Sequence, residues 1–486
     1  MYRRPSKKQQ LIRRSLVLVV MVVSVLVIVA SVTLFILGYR LDSINGQLQQ
    51  GALVQFNSQP TGGRISVDGT PINDRTPAKR SLLSGAHSFT VERDGYRPWT
   101  KSLNLAAGTL AWLDYIRLIP IDLQREVIEI YPVATDMKAA PNLRTLLVQT
   151  DKADPIFQLV DISAPTVSSR TLVLPENLYT ADSDSSSQLF TLGAWDAGSR
   201  YVLVQHQTSG ASEWIVMDTE DISESVNITQ LLSIELSELQ FSGTSGNILY
   251  GLTDGALRKL DISNETISRA LVQGVESFNM YQTSTLTYVG VDPEDKAQRV
   301  AGLYKDGDAQ PYVLAEAPLN TSLQIATTRH YNDDYVAVAE GTDVTILKGR
   351  YPSSVNDTTS LQVFAEFTAP RSVDRISFSP EGDFLLAEAG KAFMSFEVEY
   401  ERLTSSVVNT SQETVQPLRW LDQAYVWSVY EGRLSIREFD GTNGNVIMPA
   451  LRGFDATRSQ NGRYLYAMTQ NSSDEYQLER TTLILQ

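Results

Sequence analysis

The sequence predicts a mainly β protein that follows a single membrane-spanning helix. Three observations lead to this prediction: an uncharged apolar run near the N-terminus, a stretch of short alternating strands with glycine-rich turns, and a strand–turn unit that recurs to the end of the chain. Together they predict one N-terminal transmembrane helix, a small β-sandwich, and then a seven- or eight-bladed β-propeller.

Length and composition limit the classes of protein that need to be considered. The 486 residues exceed one ordinary domain, while 42% hydrophobic and 20% charged residues are typical of globular chains. Cysteine is absent, which excludes disulfides, thiolate zinc sites, iron–sulfur clusters and cysteine nucleophiles. The chain has only three histidines, His87, His206 and His330, so histidine chemistry has few candidates.

The charge is divided into two opposite blocks. The formal net charge is −15, but the first 14 residues carry six cationic side chains and no acid, which leaves −21 on the remainder. The cationic residues are Arg3, Arg4, Lys7, Lys8, Arg13 and Arg14. Because so acidic a remainder repels phosphates, we expect no nucleic-acid partner.

The apolar run from Leu16 to Leu37 contains no charged residue. A helix of this length spans roughly 33 Å, close to the hydrocarbon thickness of a bilayer. The alternative is a cleaved signal peptide, but the run is longer than such a peptide's apolar core, and residues 38–41 offer no small-x-small cleavage site. We therefore predict a tail at 1–14 and a bilayer-spanning helix at 15–38, in which the hydroxyls of Ser24, Ser31 and Thr33 can bond back to helix carbonyls.

The distribution of charge beside the run predicts its orientation. Basic residues precede it, whereas acid-rich sequence follows it. The positive-inside rule then keeps the tail in the cytoplasm and places the later domains outside. We expect a single-pass protein of the cell membrane.

After a polar linker at 39–51, residues 52–120 read as a small β-sandwich. Val54 and Phe56 alternate with polar residues, and Asp68-Gly69 is a strong hairpin signal. Several further short strands follow, separated by turns, which is typical of a small all-β sandwich.

This segment resembles the PEGA domain family over about 65 residues, from Leu53 to Leu118. The matching residues are Ser58, Pro60, Gly62, Val67, Asp68, Gly69, Thr76, Pro77, Gly85, His87, Val91, Gly95 and Tyr96. The name-giving tetrapeptide reads Pro-Thr-Gly-Gly here, so its Glu and Ala are replaced. The resemblance implies a transthyretin-like sandwich of a prokaryotic surface protein, without catalytic residues.

Residues 125–486 consist of a repeated unit: a strand, a turn with Gly, Asn or Asp, a stronger aliphatic strand, another turn and a third strand. The units start roughly 35–50 residues apart, as propeller blades do. Residues 378–386, FSPEGDFLL, resemble the turn of WD40-like and TolB-type propellers. We predict that the final strand closes the ring against Glu126–Tyr131. An array of β-sandwiches is the rival architecture, but it requires longer strands and interdomain linkers.

The sequence contains no recognisable catalytic or cofactor motif. G-x-S-x-G, H-E-x-x-H, the P-loop and G-x-G-x-x-G are all absent, so we predict no catalytic, cofactor-binding or metal residues. Calcium is the one conceivable ion, because acidic turns at 182–184, 292–295, 332–334 and 440–445 carry oxygen ligands. None of them has the twelve-residue calcium loop, so we interpret them as solvated turns.

These observations favour a non-catalytic binding or scaffolding protein of a bacterial cell envelope, with cell-wall, surface-layer or protein ligands. The alternative is an extracytoplasmic propeller hydrolase or lyase acting on envelope glycan. Binding is expected at one end of the ring, where four turns share a phase: Asp196–Arg200, Gly243–Asn247, Pro380–Asp383 and Gln460–Arg463. An anionic polymer would need calcium or magnesium to bridge it to so acidic a domain.

Overall fold

The computed structural model describes residues 7–36, 39–41, 48–181, 188–281, 283–352, 360–412 and 416–485. The chain divides into two compact units, residues 1–122 and 123–486. The first contains the N-terminal helix and the sandwich, and the second contains the propeller.

The helix α1 extends over Lys7–Ile36 and contains a segment, Leu11–Leu34, that is long and apolar enough to cross a membrane. The mean hydropathy of this segment is 3.1, and none of it is buried within the protein. Ser24 Oγ donates to Val20 O and Thr33 Oγ1 to Val29 O, both at 2.8 Å, which confirms the expected back-bonding for these two residues. The helix begins eight residues before the predicted span, because Lys, Gln and Arg are themselves good helix formers. Of the predicted span, residues 37–38 lie outside the described residues.

The sandwich is built from two sheets in the described part of residues 39–122. One has the order β1-β2-β5, with β8 pairing in parallel to β2, and the other has the order β4-β3-β6-β7. Phe56 and Phe89 meet edge-to-face between the sheets, with ring centroids 5.4 Å apart. The strands are β1 (Tyr39–Leu41), β2 (Leu48–Gln59), β3 (Arg64–Val67), β4 (Thr70–Arg75), β5 (Ala78–Leu83), β6 (Gly85–Glu92), β7 (Trp99–Leu105) and β8 (Leu110–Arg117).

The segment predicted as a linker, 39–51, contributes to the first sheet. β1 pairs with the start of β2, placing Tyr39 opposite Gln50 and Leu41 opposite Leu48. The polar composition suggested a linker, but hydrogen bonding between two backbone segments does not require apolar side chains. The sandwich therefore begins before residue 52, and residues 42–47 between the two strands lie outside the described residues.

Residues 123–486 form a β-propeller, as predicted, and its described part contains eight sheets. Seven blades take four successive strands, and the eighth takes three C-terminal strands and β9. The first four blades consist of the following strands: blade 1, β10 (Asp136–Ala139), β11 (Thr145–Gln149), β12 (Ile156–Asp161) and β13 (Ser168–Val173); blade 2, β14 (Leu189–Trp195), β15 (Tyr201–Gln207), β16 (Ser212–Asp218) and β17 (Val226–Asn227); blade 3, β18 (Glu238–Phe241), β19 (Ile248–Thr253), β20 (Ala256–Asp261) and β21 (Thr266–Ile267), with β22 (Val272–Gln273) also paired to β20; and blade 4, β23 (Val275–Tyr281), β24 (Thr285–Val291), β25 (Gln298–Lys305) and β26 (Tyr312–Pro318). The next three blades consist of these strands: blade 5, β27 (Leu323–His330), β28 (Asp333–Glu340), β29 (Asp343–Gly349) and β30 (Leu361–Thr368); blade 6, β31 (Arg375–Phe378), β32 (Phe384–Ala389), β33 (Ala392–Glu397) and β34 (Arg402–Val407); and blade 7, β35 (Arg419–Trp420), β36 (Tyr425–Tyr430), β37 (Arg433–Glu438) and β38 (Asn445–Pro449). Blade 8 consists of β39 (Thr457–Arg458), β40 (Tyr464–Gln470), β41 (Tyr476–Thr482) and the first propeller strand of the chain, β9 (Arg125–Tyr131).

Helix is scarce between the blades. One short helix, α2 (Ile228–Leu232), follows blade 2, and single 3-10 turns lie at Glu176–Leu178 and Ile222–Glu224 in the described part of the chain.

The first strand of each blade lies toward the ring axis. The first strands of successive blades contact each other; for example, β10 contacts β14, and β27 contacts β31. The second and third strands are almost wholly buried, whereas outer strands such as β13 and β34 are largely exposed. The core therefore consists of apolar layers between neighbouring blades; Leu147 and Phe157 of blade 1, for example, pack against Val202 and Ile215 of blade 2.

The ring is closed by β9, which pairs antiparallel with β41, so that Tyr131 lies opposite Tyr476. This confirms the closure strand that the sequence indicated. Arg480 of β41 reaches across the pair, and its Nε and Nη2 donate to Glu126 Oε2 at 2.9 and 2.7 Å. The same guanidinium donates to Pro165 O at 2.7 Å and lies over the ring of Tyr464. One buried arginine thus joins the first and last strands of the propeller.

The boundary between blades 6 and 7 is unusually polar. Its apolar cluster has five buried residues, against thirteen between blades 5 and 6, among the described residues. Glu388 Oε2 accepts from Leu418 N at 2.7 Å, but Glu388 Oε1 is buried without a hydrogen-bond partner. The hydroxyls of Ser395, Ser428 and Ser435 are also buried and unpaired. Strand alternation places all four side chains on the facing sides of these two blades.

Replacing Arg480 with Ala should loosen the closure before any other part of the ring. The substitution removes the contacts to Glu126, Pro165 and Tyr464, so we expect unfolding to become easier by roughly 1–3 kcal/mol. Amide hydrogen exchange in β9 and β41 should accelerate most. The matched control is Arg433→Ala, which removes an exposed arginine from blade 7. Equal acceleration in all blades would contradict a local role in closure.

Stability should depend on pH through Glu388. Burial raises the pKa of Glu388 from about 4.5 to about 7. Because the folded chain then holds this proton more tightly than the unfolded chain, its contribution to stability is present below about pH 4.5 and is lost as the pH rises to about 7. The loss is about 3 kcal/mol at most.

Denaturant-induced unfolding at a series of pH values measures how the free energy of unfolding depends on pH. Glu388→Gln should flatten the curve between pH 4.5 and 7 relative to the wild type, whereas Glu366→Gln on the outer strand of blade 5 should not. Parallel curves for wild type and Glu388→Gln would show that this blade boundary is already solvated.

Candidate functional site

In the sandwich, some of the residues that carry the PEGA resemblance form a hydrogen-bonded frame around the first turn of the motif. Ser58 Oγ donates to Pro60 O at 2.7 Å and lies 2.5 Å from Thr76 Oγ1. Thr76 Oγ1 also accepts from Gly63 N at 2.9 Å. A Cβ at Gly63, where the family has Ala, would lie 2.5 Å from Val91 Cγ1. The Gly in place of Ala therefore fits the close packing of this copy.

Asp68 and His87 form a second part of the frame. Asp68 Oδ1 accepts from Ser88 N at 2.8 Å, and Asp68 Oδ2 lies 2.7 Å from His87 Nδ1. His87 Nε2 lies 2.9 Å from Leu83 O. The histidine is thus largely buried and joins a hairpin turn to a neighbouring strand. The Ser88 amide and His87 lower the pKa of Asp68.

The remaining motif residues also have structural positions. Four of the turns contain a glycine with positive φ, a conformation that residues with a Cβ rarely adopt. These glycines are Gly62, Gly69, Gly85 and Gly95. Val67, Val91 and Tyr96 are buried, and Pro77 follows Thr76 in a cis peptide. The motif residues therefore stabilise the turns of the sandwich.

In the propeller, we call the end that carries the turns between first and second strands, and between third and fourth strands, the AB end. Antiparallel pairing places all of these turns at the same end of the ring. The first turn of blade 2 is held by Asp196, which is fully buried and accepts from Gly198 N, Arg200 N and Tyr201 N at 2.7–2.8 Å. Ser379 and Ser459 hold the equivalent turns of blades 6 and 8.

The four turns predicted to bind a ligand lie at this end, but their backbones and side chains also link the blades. Ala197 N donates to Gly243 O at 3.2 Å, between blades 2 and 3. Glu381 N donates to Gln423 Oε1 at 2.7 Å, between blades 6 and 7. A third link joins blades 1 and 8. We therefore expect wholesale replacement of these turns to disturb the ring.

The third link is a side-chain contact across the closure of the ring. Arg144 Nε, in the first turn of blade 1, donates to Gln460 Oε1, in the first turn of blade 8, at 3.0 Å. Both side chains are exposed. The AB turns thus continue to contact each other where the first and last blades meet.

His206 lies in a buried cluster of blade 2. Its ring is fully buried and stacks on Phe190, with centroids 4.5 Å apart, and His206 Nδ1 lies 3.2 Å from Glu213 Oε2. Burial disfavours the charge of Glu213, but hydrogen bonds from Thr180, Gln230 and His206 outweigh it and lower the pKa of Glu213. Its Nε2 is buried without a hydrogen-bond partner, but the neighbouring Glu213 side chain is only 7% exposed. Because no carboxylate beside this ring reaches solvent, the cluster serves packing within the blade.

The carboxylates of the acidic turns are used to hold those turns. Asp292 Oδ1 accepts from Glu294 N and Asp295 Oδ1 from Ala297 N. Asp440 Oδ1 accepts from both the amide and the hydroxyl of Thr442. Asp182 and Asp184 lie outside the described residues. Within the described part of the chain, no group of three or more His, Asp or Glu side chains is arranged to hold a metal ion.

The structure brings together one cluster that the sequence did not reveal. His330 of blade 5 lies between Asp383 and Glu399 of blade 6, beside the exposed ring of Tyr331, at the AB end. Asp383 belongs to a turn that was predicted to bind a ligand, whereas His330 belongs to no predicted site. Glu399 carried no signal of its own, because the three residues come from two blades and lie 16 to 69 positions apart.

The comparisons with known proteins concern both β domains. Residues 52–117 match the family model of the PEGA domain, which confirms the resemblance read from the sequence. Similar solved structures include the Dos1 propeller, with 9% identity, a TM-score of 0.45, and coverage of 74% of this chain and 95% of that one. Another is the Cps50 (Swd1) β-propeller domain of Myceliophteria thermophila, with 13% identity, a TM-score of 0.39, and coverage of 66% and 98%. A search of curated proteins finds no match.

The Asp68 contacts predict a small, pH-dependent contribution to the sandwich. Asp68→Asn should reduce stability by less than about 1 kcal/mol, because the carboxylate is half exposed. Since the pKa of Asp68 is lowered on folding, its contribution is present above the unfolded pKa and disappears as the pH falls through the folded one. Thermal melting of Asp68→Asn at neutral and acid pH tests this, with Asp74→Asn as control. An equal loss of stability at both pH values would contradict a contribution from the charge of the Asp68 carboxylate.

Proposed function

We propose that this chain is a membrane-anchored, extracytoplasmic binding or scaffolding protein of the cell envelope. Its N-terminal tail lies in the cytoplasm, α1 crosses the bilayer, and the sandwich and propeller lie outside. The propeller presents side chains at its AB end to a ligand, and the protein performs no catalysis.

The exposed apolar helix carries the proposal of an anchor. The segment Leu11–Leu34 has 24 residues and is unburied, and so long an apolar surface is not stable in water. Arg13 and Arg14 lie near its N-terminal end, whereas the later domains are acidic, which supports a cytoplasmic tail. The PEGA match supports the same orientation, because the family is typical of surface proteins.

The propeller supports a binding role because the residues that hold the ring together differ from the side chains that are available to contact a ligand. The layers between blades and the closure by β9 hold the ring, while side chains of the AB turns reach solvent. Ligand contacts on such turns can vary without changes to the strands. The His330 cluster lies at this end and joins two blades.

Protease added to intact cells tests the anchor and its orientation together. We expect digestion after residue 50, protection of the tail, and retention of the uncleaved chain in the membrane after alkaline extraction. Digestion of the tail with protection of the later domains would show the reverse orientation. A mature N-terminus beyond residue 30 would refute the anchor.

A matched pair of double variants strengthens this test. Arg13→Glu with Arg14→Glu should reduce correct insertion, because it reverses the charge beside the apolar run. Lys305→Glu with Arg433→Glu makes the same change in net charge at two exposed positions of the propeller and should leave insertion unchanged. Equal loss of insertion in both double variants would indicate a general folding defect and contradict the role of the tail.

Retention on envelope material tests the binding role. The purified chain in detergent should be retained on isolated cell-wall or surface-layer fractions, and single side-chain substitutions at the AB end should reduce retention while thermal melting stays unchanged. Substitutions on the exposed outer strands, such as Val173→Thr, serve as controls. Cleavage of envelope glycan by the wild-type chain would instead favour a propeller hydrolase or lyase.

A further inference from the structure

The His330 cluster consists of His330, Tyr331, Asp383 and Glu399. His330 ends the first strand of blade 5, and Tyr331 follows it in the turn. Asp383 lies in the first turn of blade 6, and Glu399 lies in the turn between its third and fourth strands. All four therefore lie at the AB end, on both sides of one blade boundary.

The histidine is buried, yet one of its nitrogens lacks a hydrogen-bond partner. Only 7% of His330 is exposed. Its Nδ1 lies 3.0 Å from Asp383 Oδ1, so this nitrogen donates to the carboxylate. Its Nε2 is buried and unpaired, and it faces Glu399 Oε2 at 3.7 Å, which is too long for a hydrogen bond. A buried polar atom of this kind marks a position that a further group is suited to fill.

The groups around this position accept hydrogen bonds. In the neutral imidazole with its hydrogen on Nδ1, Nε2 can only accept, and carboxylates at Asp383 and Glu399 also accept. Asp383 Oδ2 already accepts from Gln423 Nε2. These carboxylates are 34% and 50% exposed, so a ligand can reach them from solvent. The nearby basic side chains form ion pairs with other carboxylates; the pairs are Arg329–Asp334, Lys348–Asp333 and Arg402–Glu397.

Tyr331 supplies an aromatic surface beside these acceptors. It is 78% exposed, and its ring centroid lies 4.3 Å from that of His330. Its φ is +51°, a conformation that costs energy for a bulky side chain. An exposed ring next to two carboxylates attracts a cation through both its quadrupole and their charge.

We propose that the His330 cluster binds an organic cation, the ammonium or guanidinium group of a basic peptide side chain. Such a group brings the hydrogen-bond donor that His330 Nε2 lacks, and its charge suits both carboxylates and the face of Tyr331. The formal charge of −21 on the chain after the tail attracts the same class of ligand over longer distances. The proposal rests on the proposed binding function and specifies its ligand class.

Fluorescence anisotropy with labelled hexalysine tests the proposal on the full chain in detergent micelles. Salt of about 150 mM reduces attraction that depends on overall charge alone. We expect saturable binding that Glu399→Gln weakens about tenfold, the loss of one close charge pair. Tyr331→Asn should also weaken binding, because Asn tolerates positive φ and so removes the ring while keeping the turn.

The matched control is Glu401→Gln, which removes the same charge from an exposed position in the same turn as Glu399. It should change the affinity less than twofold. Equal weakening by Glu401→Gln and Glu399→Gln would overturn the proposal, because it would show attraction by net charge. Absence of hexalysine binding, or binding of a neutral chito-oligosaccharide that Glu399→Gln abolishes, would overturn it as well.

The same variants separate this proposal from the proposed function. If the wild type is retained on envelope fractions and Glu399→Gln is retained equally, the binding role stands and the cation site does not account for it. If hexalysine binds as expected while no envelope fraction retains the wild type, the cation site stands and the envelope-binding role fails.

Discussion

The pairing of β9 with β41 is the constraint on which the propeller depends. Each blade buries apolar side chains against its neighbours, so an open ring would leave two such faces in water. Closure also pairs the backbone edge of β41, which would otherwise be free to associate with other chains. Because β9 precedes all other propeller strands, the ring is complete only when both ends of its chain segment have met.

Polar contacts between neighbouring blades fix how the blades align with each other, which apolar packing alone does not. Gln149 in the second strand of blade 1 donates to Phe190 O of blade 2 at 2.6 Å, and Glu388 in the second strand of blade 6 accepts from Leu418 N before blade 7. A buried polar side chain fits only where its partner is in place, so these contacts favour one alignment of neighbouring blades. Glu388 differs from Gln149 in that it can exchange a proton, and burial raises its pKa, so we expect this one boundary to respond to pH.

The sequence predicted the parts of the fold that depend on local pattern. The apolar helix, the Asp68-Gly69 hairpin and the closing strand at Glu126–Tyr131 each carry a signal within a few residues. The pairing of residues 39–41 with β2 was missed, because backbone pairing leaves little trace in polar side chains. The His330 cluster was also missed, because the alignment of blades 5 and 6, which sequence periodicity does not define, decides that Glu399 faces His330.

The backbone and the side chains of the AB end have separate roles. Its backbone amides and carbonyls link neighbouring blades, so they are constrained by the ring. Tyr331 contributes little to that packing, because most of its surface is exposed, although its backbone is strained. The positive φ of Tyr331 follows from the two-residue turn that joins His330 to Asp333, as it does for Glu431 in the turn between Tyr430 and Arg433. The backbone of Tyr331 therefore serves the hairpin, whereas its exposed ring, beside a buried histidine with an unpaired nitrogen, is the part that the proposed cation site uses.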